Sequence, residues 1–257
     1  MLVRSWNLFH GNTVPPGRDA YLDEMLRLAS SDDPDVLCVQ EVPAAALGRF
    51  TAGDVAARPR LVSASLGERL TSLNHGLLRS AFSGQGNGLL VAPRFRVLAH
   101  KRLTLNPRRF RDAQARALGL GLAARLAWAK ERRIVQALRL ADAEGRTYLV
   151  ANLHCTSYAA EVRLAEAELL RAAWFATSTA APGDVIVLAG DFNLTESSNA
   201  VEALNSSEWG FSAPGPGIDQ ILVRGCDVSP LRVWLPEQRT RDGRLLSDHA
   251  PVELDLL

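Results

Sequence analysis

No stretch of the chain approaches the ~20 uninterrupted apolar residues of a membrane-spanning helix. Met1-Leu2-Val3-Arg4 leads directly into a strand pattern with no leader-like apolar region, so a cytoplasmic location is the expectation. Cysteine is scarce. Cys38, Cys155 and Cys226 make an odd count with no Cys-x-x-Cys pair, which excludes a disulfide framework and a thiolate zinc site; they are expected to be reduced and structural. No serine or cysteine sits in a nucleophile motif, so no covalent intermediate is expected. The glycine run Gly84-Gln85-Gly86-Asn87-Gly88 lacks the lysine and helix of a P-loop, which excludes nucleotide binding of that kind and leaves a tight turn entering a strand. With no linker-like run and no internal repeat, residues 1–257 read as one domain, and an apolar fraction of 47% can fill its core.

Net charge is also small, only +1, but it is unevenly placed. Between Arg94 and Arg139 stand thirteen Lys or Arg against Asp112 and Glu131, a surplus of +11 that the remainder offsets at −10. Such a surplus in one segment points to a polyanionic partner.

Strands are expected at Leu2–Asn7, Asp35–Gln40, Leu89–Ala92, Arg96–Leu105, Ile134–Ala141, Thr147–Asn152, Gly183–Ala189, Ile218–Val223 and Ala250–Leu254, from β-branched apolar runs bounded by turn residues. Helical spacing appears at Asp19–Ala29, Ala44–Ala57, Leu66–Leu78, Glu161–Ala176 and Asn199–Leu204, with a short strand at Leu61–Ser65 and a turn-rich loop at Asn12–Pro16. Leu118, Leu122 and Leu126 recur every four residues, a helical stripe interrupted by Gly119 and Gly121. For this basic segment three readings compete: arginines with Phe110 and Trp128 tracking and stacking on nucleic acid, a helix packed on the sheet, and an amphipathic piece on an anionic membrane, ranked in that order.

Polar residues gather where apolar runs end. Val185–Leu194 is the clearest case, a buried strand delivering Asp191 and Asn193, alternate residues on one face with Phe192 on the other. An Asx-type turn is the plain alternative for that pair. Trp6-Asn7, Gln40-Glu41, Asn152-Leu153-His154, Gly217-Ile218-Asp219-Gln220 and Ser247-Asp248-His249 repeat the theme. Asp219 is an acid among apolar neighbours and needs a partner, for which His249 is the natural choice. Arg133, at the mouth of its strand, is placed to reach a phosphate oxygen. Glu41, Asp191, Asn193, Asp248 and Asn7 form an oxygen-rich set that suits Mg²⁺ or Mn²⁺ and disfavours zinc.

The order and spacing of these six segments, from Leu2 to Glu253, resemble the endonuclease/exonuclease/phosphatase superfamily, its exonuclease III and pancreatic-type deoxyribonuclease branch above all. The resemblance implies a four-layered α/β sandwich, two mostly antiparallel sheets packed face to face with helices outside. It implies metal-dependent phosphoester hydrolysis by in-line attack of water, with Glu41, Asn7 and Asp248 holding Mg²⁺. Asp191 and Asn193 would orient or deprotonate the water, and His154 with the Asp219–His249 pair would meet the phosphate. Asn87, Arg133, Arg108, Arg109 and Arg111 would contact the substrate. DNA is the expected partner; a phospholipid or inositol phosphate substrate, and an inactive nucleic-acid or protein adaptor, are the alternatives.

Overall fold

The computed structural model describes residues 1–16, 21–43, 55–57, 85–130 and 132–257. Six strands form one sheet: β1 (Leu2–Asn7), β3 (Val36–Pro43), β4 (Val55–Ala57), β5 (Gln85–Val91), β11 (Arg232–Val233) and β14 (Val252–Asp255), in the order β11-β14-β1-β3-β5-β4. Five more form the second: β6 (Arg96–Thr104), β7 (Ile134–Ala141), β8 (Thr147–His154), β9 (Val185–Asp191) and β10 (Asp219–Arg224), in the order β10-β9-β8-β7-β6. Both are mostly antiparallel, with parallel pairing at β1/β3 and β8/β9. β2 (Thr13–Val14), β12 (Thr240–Arg241) and β13 (Arg244–Leu246) make a small third sheet.

Strand alternation builds the layers. Along β7 and β8, Leu138, Leu140, Tyr148 and Val150 face the first sheet and meet Val36, Cys38, Leu89 and Val252 in the inter-sheet core. Val135, Ala137, Leu149, Ala151 and Leu153 face outward and pack on α4 (Arg163–Thr179) and α5 (Asn199–Leu204). On the far side, Trp6, Leu37 and Val39 pack on α1 (Leu22–Ala29). The result is the four-layered α/β sandwich, helix, sheet, sheet, helix.

The same alternation carries polar residues to one rim of the inter-sheet core. Gln40 and Asn152 are both fully buried there. Gln40 Nε2 donates to Asn152 Oδ1 at 2.8 Å, and Asn152 Nδ2 donates to the carbonyls of Val39 at 3.0 Å and Gly88 at 2.7 Å. One side chain of β8 is thereby bonded to two strands of the facing sheet.

Several expectations change. Residues 55–57 are strand rather than the end of a helix, whereas residues 44–54, and the expected strand and helix within 61–78, lie outside the described residues. The loop Asn12–Pro16 contains β2, which pairs with β13 across more than two hundred positions, a partnership no local pattern records. The leucine stripe is not one helix: α2 (Arg108–Ala117) and α3 (Leu122–Lys130) are separated by a turn in which Gly119 adopts φ +62. Phe110 and Trp128 pack edge to face at 5.9 Å, and Trp128 is buried, so neither is free to stack on a base. The packing reading is right for these two aromatics.

Trp128 also anchors the helix pair to the sandwich. Its Nε1 donates to Glu168 Oε1 at 2.7 Å, and Glu168 receives Thr156 Oγ1 at 2.8 Å and the Thr156 amide at 2.6 Å. Burial pushes the Glu168 carboxyl up to about 7, against the lowering influence of Arg133 and these three donors. Because the folded value lies above the ordinary 4.5, protonated Glu168 favours the folded state, and that contribution is lost as pH rises from about 4.5 through about 7. Its size is on the order of 3 kcal/mol. Urea unfolding of wild type and Glu168→Gln across this window is expected to show the wild type losing stability relative to the variant as pH rises; parallel curves would disprove the linkage. In the same assay, Asn152→Ala is expected to cost about 2–4 kcal/mol, because it removes one of the two acceptors of Gln40 Nε2 and the donor to two buried carbonyls.

Candidate functional site

The ends of β1, β8, β9 and β10 meet β3 and the loop before β14 at the polar rim. Asn7, Asp191 and His154 stand on the inter-sheet face one alternation beyond Ser5, Ala189 and Asn152, and are 0%, 1% and 5% exposed. Asp191 is the hub. Its Oδ2 receives Asn7 Nδ2 at 2.9 Å and lies 3.4 Å from His154 Nε2 and 3.8 Å from His249 Nε2, while its Oδ1 receives the Asn193 amide at 2.9 Å. Burial and the negative charge of Asp219 push Asp191 up to about 7.

The two histidines are set in opposite states. His154 is held well below the ordinary imidazole value by burial and by the adjacent Arg133 guanidinium. Arg133 Nη1 lies 3.0 Å from His154 Nδ1, and a guanidinium can only donate, so Nδ1 accepts and the proton of neutral His154 sits on Nε2. That N–H points toward Asp191 Oδ2 and toward Glu41 Oε1 at 3.9 Å. For His249 burial works against the charge, but the hydrogen bond that it donates to Asp219 and the charges of Asp219, Asp191 and Asp248 outweigh it, and its value rises to about 9. Asp219 Oδ2 is 2.7 Å from His249 Nδ1, the partnership expected from the sequence. Among the described residues, Asp219 Oδ1 is buried without a hydrogen-bond partner.

Backbone irregularity aims several of these groups. Glu41 adopts φ +53 at a register shift between Val39 and Val42, a bulge that turns its carboxylate out of the β3 alternation to within 3.1 Å of His10 Nε2. Asn193 (φ +50) leaves the strand, so it does not share the Asp191 face as expected; its amide closes an Asx turn on Asp191 and its Nδ2 donates to the Cys155 carbonyl at 2.9 Å. Phe192 faces the helix layer. At Gly190 (φ +145) an added Cβ would sit 1.9 Å from the Leu153 carbonyl, so only glycine lets β8 and β9 approach closely enough to pair His154 with Asp191.

Other expected residues stand further back. Asp248 is half-exposed, its Oδ1 3.9 Å from His249 Nε2. Arg133 is buried behind His154 rather than open at the strand mouth. Asn87 is buried and donates to the Ile134 carbonyl at 3.3 Å. Arg108 and Arg109 are exposed on α2, and Arg111 donates to the Asn106 carbonyl at 2.6 Å; no described contact joins these three to the rim.

Three residues escaped the sequence reading. His10 meets Glu41 from a left-handed backbone position. Ser247, named from the sequence only within the Ser247-Asp248-His249 run and given no catalytic role, donates to the Asn7 carbonyl at 2.7 Å and receives the His249 amide at 3.1 Å. Arg239 Nη1 donates to the carbonyls of Leu246, Ser247 and His249 at 3.1, 2.9 and 2.9 Å. Nothing local marks His10 or Arg239, whereas Ser247 lay inside a recognised tripeptide.

Asp191, Asp219 and His249 each offer a ligand atom within 4.8 Å of the others. With Glu41 and Asp248 nearby and the Cys155 thiol buried in the helix-side core, the donors are mainly carboxylate oxygens, which fit a hard divalent cation.

A family model described as the endonuclease/exonuclease/phosphatase family matches residues 5–249. A search of curated proteins gives no significant sequence match. Among solved structures, the human nocturnin catalytic domain with bound sulfate is similar at TM-score 0.66 and 16% identity, over 100% of this chain and 93% of the other. Humanized D. rerio TDP2 is similar at 0.66 and 14%, over 99% and 97%. A Bacteroides thetaiotaomicron mannosyl-6-phosphatase is similar at 0.66 and 16%, over 100% and 99%. At such identities these structures establish the fold.

The His249 assignment is open to direct test. In protein kept free of divalent ions, NMR titration is expected to place the wild-type imidazole at about 9, and Asp219→Asn is expected to bring it down toward the ordinary 6.5. A variant still titrating near the wild-type value would show that Asp219 is not the dominant partner.

Proposed function

The chain belongs to the endonuclease/exonuclease/phosphatase family, and from that premise we propose that the polar rim hydrolyses a phosphodiester, with DNA as the first substrate class. The observation that carries the reading is the convergence on Asp191: a buried carboxylate faced by two imidazoles in different protonation states and steered by the Asn7 amide.

Asp191, held near neutrality, is suited to orient the attacking water and accept its proton. His154 presents a fixed Nε2–H donor to a phosphoryl oxygen. His249, carrying its proton with Asp219 behind it, stabilises the charge that develops in the pentacovalent state. Glu41 and Asp248 are the carboxylates that would hold Mg²⁺ or Mn²⁺. Bound there, the ion would supply Lewis-acid neutralisation of phosphoryl charge. Asn7 is given a different part from the ligand role expected of it: its Oδ1 receives the Phe9 amide at 3.0 Å and its Nδ2 is committed to Asp191, so it orients the carboxylate. Arg133 and Asn193 act indirectly, the first by fixing the His154 tautomer and the second by fixing the turn after Asp191. Substrate contacts by Arg108, Arg109 and Arg111 find no support in the rim geometry. The nucleic-acid reading rests on the +11 surplus between Arg94 and Arg139.

A panel of single- and double-stranded DNA, abasic duplex, RNA, sphingomyelin and inositol phosphates, assayed with Mg²⁺ and with Mn²⁺, tests the proposal. Cleavage of DNA abolished by EDTA is the expected result. Asp191→Ala and His249→Ala are each expected to lower kcat by roughly 10²–10⁴, and Glu41→Ala to raise the Mg²⁺ concentration needed for half-maximal rate. Turnover confined to sphingomyelin or inositol phosphates would overturn the nuclease assignment and leave the hydrolytic one standing. Inactivity on every substrate, with no ion bound at millimolar Mg²⁺, would overturn both.

A further inference from the structure

The α2–α3 pair carries an exposed apolar face set among arginines. Leu122 and Leu126, one turn apart on α3, are 73% and 62% exposed. Ala123 and Ala129 are exposed on the same helix, and Arg125 stands between the leucines in sequence. A cavity of about 320 Å³ opens between the helices, bordered by both leucines, Arg125, Arg108, Arg111 and, as the one carboxylate among the described residues, Asp112. Arg108 Nε lies 3.7 Å from Asp112 Oδ2, so three guanidinium groups against one carboxylate leave the cavity with a positive excess.

A polyanion in water would account for the arginines and leave the leucines unexplained. Base stacking is closed off as well, because Trp128 is 1% exposed and Phe110 packs on it. An anionic bilayer accounts for both features at once: leucines enter the headgroup–acyl boundary while arginines remain at the level of the lipid phosphates. The cavity is within the size range of sites that hold small ligands. We propose that the α2–α3 face docks this protein onto an anionic lipid surface, one lipid phosphate entering the cavity among Arg108, Arg111 and Arg125. Both ends of the excursion are held firmly. The Arg133 amide donates to Asn106 Oδ1 at 2.9 Å, Asn106 Nδ2 donates to the Trp128 carbonyl at 3.3 Å, and Glu168 fixes the Trp128 ring. The docking face is therefore a rigid surface rather than a segment that must order on binding.

This inference stands apart from the hydrolytic reading, since binding is measured without turnover. The test is sedimentation of the full chain with vesicles of equal parts phosphatidylcholine and phosphatidylglycerol, against vesicles of phosphatidylcholine alone. Binding to the anionic vesicles only, weakened by added salt, is expected. Leu122→Ser/Leu126→Ser and Arg125→Ser are each expected to lower the vesicle affinity roughly tenfold or more with unchanged far-ultraviolet circular dichroism, because all three side chains are exposed. Equal binding to both vesicle types, no binding to either, or anionic binding indifferent to these substitutions would overturn the proposal. So would a duplex oligonucleotide, or a second copy of the chain, that requires the two leucines when vesicles do not.

Discussion

The site depends on a hydrogen bond between two neutral amides. Where Gln40 meets Asn152, the apolar interior gives way to a layer of uncharged polar groups that reaches across both sheets, with Ser5 Oγ receiving Gln40 Nε2 at 3.1 Å as a third member. Two packed β-sheets held by apolar contact alone tolerate small slides, because hydrophobic attraction is non-directional. The Asn152 amide is directional. By donating to the carbonyls of Val39 and Gly88 it fixes β8 against β3 and β5. Three groups of the rim lie one or two residues further along these strands: Asn7 after Ser5, Glu41 after Gln40 and His154 after Asn152. Reactive geometry tolerates errors of only about half an ångström, so a directional layer directly beneath the charged one is where such accuracy originates.

Above that layer, the chemistry arises from asymmetry between two imidazoles. Arg133 behind His154 and Asp219 behind His249 are groups of opposite sign in equivalent positions, each contacting the Nδ1 of its ring. The first discourages a proton and the second retains one. Both Nε2 atoms then face the same Asp191 oxygen with a proton on each, one on a neutral ring and the other on a charged one. Separating the titration of paired groups through their surroundings is how a single site holds an acid and a base at one pH, and here the separation is built from residues that need not touch a substrate.

This division explains what the sequence could reveal. A polar residue ending an apolar strand contradicts its surroundings, and that contradiction is visible in one dimension: Asp191, His154, Asp219 and Asn7 were all legible because the strand period placed them on the inner face. The Asp219–His249 pairing was legible from the cost of a lone buried charge. Residues aimed by backbone irregularity could be named from the order of their motifs, as Glu41 and Asn193 were, but no period placed them. Glu41 reaches the rim through a bulge, Asn193 leaves its strand in a left-handed turn, and His10 and Ser247 also adopt positive φ, conformations that no periodicity encodes. Arg239 was invisible for another reason: it supports the His249 loop through backbone carbonyls, which carry no sequence signature. The Leu118–Leu126 stripe misled because helical spacing does not distinguish a continuous helix from two helices meeting at Gly119.

The helix pair follows a different logic from the rim. Rim residues are fixed by strands buried on both faces, so substitutions there perturb the inter-sheet packing along with the chemistry. The α2–α3 excursion leaves and rejoins the sheet at adjacent strand ends, where the Leu105 amide donates to the Arg133 carbonyl at 2.7 Å. Its hydrophobic cluster of Ala115, Leu120, Ala124 and Trp128 is separate from the inter-sheet core, sharing Leu164 with the outer helix layer. Its exposed side chains can therefore vary without disturbing the rim, while its root touches the rim through Arg133. A surface that is free to change yet rigidly joined to a fixed reactive centre is the arrangement in which one fold acquires different partners. The uneven charge of the sequence has the same origin: the basic surplus lies on the excursion and the strands that flank it, and the rim itself is dominated by carboxylates.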